Sequence, residues 1–568
     1  MRWTSSTIGL VAVVALIGLG LAVDAVGPDA SVPTPTPAVV GPARSGAATC
    51  AVVGATADAS STVVATALPA GAGAGEALDT SDVTVDVVAE GITLVAATAE
   101  VPPGAGTAVA VPAGAGSPLV AARWFDVPTT VHRSTVRSGE EGAAGRLEGP
   151  CPAEVSDRWI VPGLATAGGA TARLVLANPY ASDASVSVAF TTPQGTVRPR
   201  LLENVVVPAG AVRTVEVNEH APEQPDLGAL VSTRSGRAVV EAVQEFDAAI
   251  GGVEGIALAP AVAAPAETWT IPWFTDGAAQ LSWLWLTNPD DRPAAVTLTL
   301  HTTEGGLVPE GIEELTLAPG STQRVDLRGL LGEGGGSGAV TVRTDNGVGI
   351  VASVASQILD EEDAARTGVG IGIGATEPSA TWVAAGGPTE GRDLSLTLVN
   401  PAAEPAVVDV AVWTPGGVSR PQVLQGLSVG AGAYLAASLT DVLPETEAYA
   451  LVVTAREGRV VAGTVGLARS GSLAFAVSTA ASGSALEGGG TVSPVLRVPG
   501  LTQRLGTQLG PQVADPFARR EQSAVPAPTD TDPVELDDPL GGTGPDPTDP
   551  DPTDPATGPD GAGEDPDG

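Results

Sequence analysis

The chain has 568 residues, enough for several separate cores, and 43% of them are hydrophobic. Lys and Arg number 27 against 65 Asp and Glu, and the net charge of −38 argues against a nucleic-acid partner, because phosphate neutralisation needs a basic face. Aromatics make up only 3%, while Gly and Pro number 72 and 49, so the composition predicts Val-, Leu- and Ala-rich cores with many turns rather than a helical bundle.

Arg2 is followed by an uncharged stretch whose strongly apolar part, Ile8 to Val23, has 16 residues. That falls just short of the roughly 17–25 residues of a membrane span, and Thr4 to Ser6 extend it. Two readings fit residues 1–26. One is a cleaved signal peptide with Val23 and Ala25 before the cut and Asp24 between them. The other is a signal-anchor helix with Arg2 on the cytoplasmic side. The expected location is the cell membrane, as a single-pass protein with an extracytoplasmic bulk, or the exterior if the segment is cut. Residues 27–48 carry Pro28, Pro33, Pro35, Pro37 and Pro42 and read as an extended stalk. Cys50 and Cys151 are the only cysteines, and an even count in an oxidising compartment predicts a disulfide that brackets residues 49–152.

Self-similarity organises the rest. LVLANPYASDASVSVAF from Leu174, LWLTNPDDRPAAVTLTL from Leu284 and LTLVNPAAEPAVVDVAV from Leu396 superpose without a gap. Their corners are Asn178-Pro179, Asn288-Pro289 and Asn400-Pro401, spaced 110 and 112 positions apart, and each copy is preceded by a Trp: Trp159, Trp269 and Trp382. Apolar residues at every second position on both sides of the corner predict strand, corner, strand. Asn suits a turn, and Pro removes the N–H that a ladder would need. A Pro/Gly turn follows in each copy at Gly210, Gly320 and Gly432, as in a hairpin. Residues 49–152 carry a divergent version. Their VPPGAGTAVAV places Gly104 at the same turn, and PLVAARWFD from Pro118 resembles VVEAVQEFD from Val239. The prediction is an all-β chain of tandem immunoglobulin-like β-sandwich modules, with three clear repeats at 153–264, 265–378 and 379–486 after one divergent N-terminal copy. Residues 487–520 read as a linker. Residues 521–568, with 14 acidic residues, 11 prolines and no basic residue, read as a disordered acidic tail.

No catalytic constellation emerges. His132, His220 and His301 lie far apart, and His220 and His301, which recur in no other copy, are expected at surfaces or strand edges. No His pair stands at zinc-binding spacing, the Gly-rich runs lack the phosphate-loop pattern, and neither metal nor cofactor is expected. The best functional lead is aromatic: Trp273, Trp283 and Trp285 cluster around the second corner. Trp283 and Trp285 alternate with Leu284 and Leu286, which puts them on the face away from their own core. That face would stack on sugar rings, seat a partner, or be buried against a neighbouring copy, the last being the simplest outcome.

On the Cys151-Pro152 pair, the Trp-plus-Asn-Pro repeats and the Pro/Gly turns, the chain from Cys50 to Leu486 resembles an uncharacterised family of secreted or membrane-anchored actinobacterial β-proteins, known only as a domain of unknown function. Cys50 lacks the following Pro. The resemblance implies an envelope location and no activity. The leading expectation is a non-enzymatic envelope protein that holds or binds envelope glycan or a partner protein. A passive spacer and a wall-polymer hydrolase are the alternatives.

Overall fold

The computed structural model describes residues 46–69, 80–125, 127–140, 143–153, 156–247, 255–277, 280–310, 312, 314–332, 335–358, 368–468, 475–479 and 481–482. The N-terminal apolar segment, the stalk up to residue 45, the linker and the acidic tail lie outside them. Among the described residues no helix is long and apolar enough to cross a membrane.

The chain is all-β, and one seven-strand plan occurs four times, in sandwiches I to IV. In that order the first strands are Gly46–Ala51, Arg158–Leu164, Thr268–Asp276 and Thr381–Gly386. The second are Ala59–Ala67, Ala170–Ala177, Gln280–Asn288 and Arg392–Val399, and the third Ser81–Ala89, Ala184–Thr192, Ala294–Thr302 and Ala406–Thr414. The fourth are Gly106–Val111, Val212–Glu216, Ser321–Asp326 and Tyr434–Ser438, and the fifth Leu119–Phe125, Leu227–Ser235, Gly336–Thr344 and Tyr449–Glu457. The sixth are Thr129–Arg137, Val239–Phe246, Val351–Ile358 and Val461–Ala468, and the seventh Gly145–Pro150, Gly255–Ala259, Gly368–Ile373 and Phe475–Thr479.

In all four sandwiches the first, fifth and third strands form one sheet, and the other runs in the order fourth, second, sixth, seventh. An immunoglobulin domain orders its sheets A-B-E-D and C-F-G, so the module has that size but a different topology. Alternation marks a strand without saying which neighbour it takes. The same limit explains a second departure. Leu119–Phe125 is a fifth strand and Val239–Phe246 a sixth, so the resemblance between PLVAARWFD and VVEAVQEFD does not pair equivalent places. The first strand also opens at Gly46, within the segment read as stalk.

The repeated residues have repeated jobs. Trp159, Trp269 and Trp382 each donate their indole N–H to the carbonyl just before the sixth strand, of Ala238, Ile350 and Val460, at 2.7, 2.7 and 2.6 Å. Asn178, Asn288 and Asn400 are fully buried. Each accepts the N–H two residues on and donates its amide to the carbonyl four residues on and to carbonyls ahead of the Pro/Gly turn. The corner is therefore clamped to the next hairpin. The turn glycines Gly104, Gly210, Gly320 and Gly432 all have φ between 62° and 77°, the left-handed region that a side chain resists. Cys50 and Cys151 are joined by a disulfide that ties the first strand of sandwich I to the end of its seventh.

The sandwiches close into a ring. The first strand of each packs on the sheet containing the second and sixth strands of the next: I on II, II on III, III on IV, and IV back on I. The four seventh strands pack each on the next around a common axis. Two sheets run on through these seams. The seventh strands of I and II pair in parallel, and so do the third strand of II and the fourth of III. The last seam is sealed by an apolar cluster that joins sandwich I to Ala385, Trp413, Ala448 and Ala450 of sandwich IV. A head-to-tail contact that closes leaves few free edges.

Candidate binding cleft between sandwiches II and III

Each seam solves the same packing problem with different residues. Thr191, His301 and Trp413 occupy one equivalent position near the end of the third strand, and all three reach the next sandwich. Thr191 places its hydroxyl 2.6 Å from that of Thr322. His301 is buried rather than on the surface, and its Nδ1 lies 2.8 Å from the Gly432 carbonyl. The carbonyl only accepts, so Nδ1–H donates and Nε2 accepts from Thr341, while burial lowers the ring's pKa. Trp413 lies against Gly106. His132 is also fully buried, in the sheet that faces sandwich IV, and burial lowers its pKa to about 4. His220 is half-buried.

The seam between IV and I carries buried charge beside its apolar cluster. Glu148 of sandwich I lies 3.1 Å from Arg146 and 3.1 Å from Arg392 of sandwich IV, with all three side chains at least 94% buried. Burial pushes the Glu148 carboxyl up, but Arg392 and Arg146 outweigh it and hold it at about 2. At the seam between I and II, Arg133 meets buried Glu241 at 2.6 Å.

The seam between II and III is aromatic. Leu284 and Leu286 enter sandwich III's own core, and Trp283 and Trp285 project from the opposite face, as their alternation predicts. That face is covered by sandwich II. Trp285 is wholly buried, its indole lying where a Cβ on Gly163 would stand, 2.2 Å from Cε3. Its N–H donates to Asp226 of sandwich II at 3.1 Å, and Asp226 also pairs with Arg324 at 3.3 Å. Trp273 does not join them. It is buried in the core of sandwich IV, because it stands on the first strand, at the place Gly163 has in sandwich II, and faces the next seam. The three-tryptophan surface expected from the sequence is therefore divided between two seams.

Beyond Trp285 the seam opens into a cleft of about 480 Å³, within the size range of small-molecule sites. Phe246, Leu281 and Trp283 supply its apolar lining, and Arg324, Asp326 and Arg328 its polar rim. Trp283 meets Trp285 edge to face at 5.4 Å, and the Arg324 guanidinium lies 5.8 Å from the Trp283 ring centre. The Trp283 indole nitrogen is buried without a hydrogen-bond partner among the described residues. Arg328 holds Asp326 by a two-point ion pair, which keeps its carboxyl below the usual range. Arg324, Asp326 and Arg328 are not marked as a site by the sequence: Asp326 has an acidic counterpart in Glu216, and only strand pairing brings Asp326 opposite Trp283 and Arg324 opposite Trp285.

The position of Trp283 is Arg173 in sandwich II and Ser395 in sandwich IV, and that of Trp285 is Val175 and Thr397. Among these three aligned copies, only III brings an aromatic pair to its seam. The cleft lies at the end of the sandwiches where the first strands finish, beside Ala165 and Gly168. Gly46 begins a first strand, and Ala481–Ser482 pairs with Val383 and Trp382 near the start of another. The described chain therefore enters and leaves the ring at the end opposite the cleft. Among the described residues no group of His, Cys, Asp and Glu is placed to hold a metal ion.

The model of a family of unknown function (DUF5719) matches residues 119–357, 276–396 and 333–474, which together span more than half of the chain. No curated protein matches it in sequence. Among solved structures, an α-L-rhamnosidase of Streptomyces avermitilis complexed with L-rhamnose aligns at 10% identity over 70% of this chain and 56% of that enzyme, little more than half its length. Its TM-score is 0.11, too low to bear on fold or activity.

Proposed function

Because this chain belongs to that family of unknown function, we propose a role from the ring itself: a non-enzymatic, extracytoplasmic scaffold of the cell envelope that binds envelope glycan in the cleft between sandwiches II and III. The observation that carries this reading is the aromatic pair at one seam, opening into a cleft with an apolar lining and a charged rim. Export is supported by the apolar segment Ile8 to Val23 and by the disulfide, a bond that persists in oxidising compartments.

The test is a glycan array probed with the exported protein and with Trp283→Leu. Binding that is lost in the variant while its unfolding midpoint holds within a few degrees supports the role. Absence of any binding favours a passive spacer. Release of reducing ends from wall polymers would move the protein to the hydrolases and overturn the non-enzymatic reading.

A further inference from the structure

We infer that the cleft selects uncharged, hydroxyl-rich saccharides over acidic ones, an inference that rests on the glycan-binding reading above. The rim carries two guanidinium groups and one carboxylate, and each guanidinium is already matched: Arg328 with Asp326 on the rim, and Arg324 with Asp226, which lies behind it outside the lining. The site therefore has no surplus charge. An acidic sugar would have to displace a carboxylate from its guanidinium, and the displaced carboxylate would then stand beside the ligand's own, two like charges at one cation. The chain's net charge of −38 opposes an anionic ligand at longer range as well.

A neutral polyol meets none of these penalties. Each hydroxyl both donates and accepts, so neighbouring hydroxyls bridge an ion pair, donating to the carboxylate and accepting from the guanidinium. Phe246, Leu281 and Trp283 provide the apolar wall that the C–H face of a sugar ring packs on. The other seams show what structural packing alone needs. Where Trp283 stands in III, sandwich II has Arg173, paired with Glu245 inside its own sheet.

The experiment measures binding of the exported protein to matched pairs of oligosaccharides that differ only in a neutral hexose or the corresponding uronic acid, at two salt concentrations. Neutral members should bind at least about tenfold tighter, with affinities indifferent to salt. Asp326→Asn and Arg328→Gln, both at side chains more than half exposed, should each weaken neutral-sugar binding several-fold with unfolding midpoints within a few degrees of the parent. Preferential binding of the uronic acids, or rim variants that bind neutral sugars as well as the parent, would overturn the selectivity while leaving the glycan role standing. Binding of neither class would overturn both.

Discussion

Gly163 faces Trp285 across the seam between sandwiches II and III, and Gly163→Ala tests whether the two sandwiches are locked there. The added Cβ would lie 2.2, 2.3 and 2.6 Å from Cε3, Cδ2 and Cγ of the indole, about an ångström inside the ~3.5–4.0 Å of ordinary carbon contact. The indole has little freedom to retreat. It is wholly buried, its N–H is bonded to Asp226, and its ring abuts Trp283. Overpacking of this kind costs about 1–3 kcal/mol, and the tethered ring places Gly163→Ala near 3. Trp285→Val, which installs the residue found at this position in sandwich II, should cost about 3–5 kcal/mol through the cavity it leaves. The double variant should cost clearly less than the sum, with a coupling of roughly 2 kcal/mol, because the valine makes the room that the alanine needs. Urea unfolding followed by far-ultraviolet circular dichroism gives all three values. Additive costs, or a Gly163→Ala cost below about 0.5 kcal/mol, would show that the seam is not packed as described.

Three further outcomes follow from the seam between IV and I and from the repeated corners. Arg392→Met removes one partner of buried Glu148 and should destabilise the protein by about 3–5 kcal/mol, with first proteolytic cuts in sandwich I or IV, whereas the exposed pair Arg343 and Asp345 should be replaceable at little cost. His132 is held neutral by burial, with Glu148 opposing and Arg133 assisting, and its folded pKa of about 4 lies below the ordinary 6.5. The unfolded chain therefore binds the extra proton first. Stability is complete above pH 6.5 and falls as the pH drops towards 4, by up to about 3 kcal/mol, and His132→Gln should flatten that part of a thermal-melt pH profile. Glu148, ordinarily near 4.5 and here about 2, adds a second loss between those values. Asn288→Ala would strip the carbonyls of Arg292, Leu317 and Ala318 of their donor and should cost about 2–3 kcal/mol by chemical denaturation, with similar losses at Asn178 and Asn400.

Read alone, the amino-acid order determined whatever is local and repeated. The Asn-Pro corners, the turn glycines and the preceding tryptophans recur because each makes short-range bonds that every copy needs, so spacing exposes them. Alternation also assigned Trp283 and Trp285 to the face opposite Leu284 and Leu286. Strand order was beyond reach, because a period of two fixes faces and leaves partners open. Ring closure was too. Glu148 and Arg392 are 244 positions apart, and Trp413 against Gly106 is a match of shapes made once, with no period to reveal it. The cleft lies on the same side of that line. Whether two outward tryptophans are exposed, buried or lining a cavity depends on the surface that meets them, and Gly163, Asp226 and Arg324 are brought there only by the packing of one sandwich on the next.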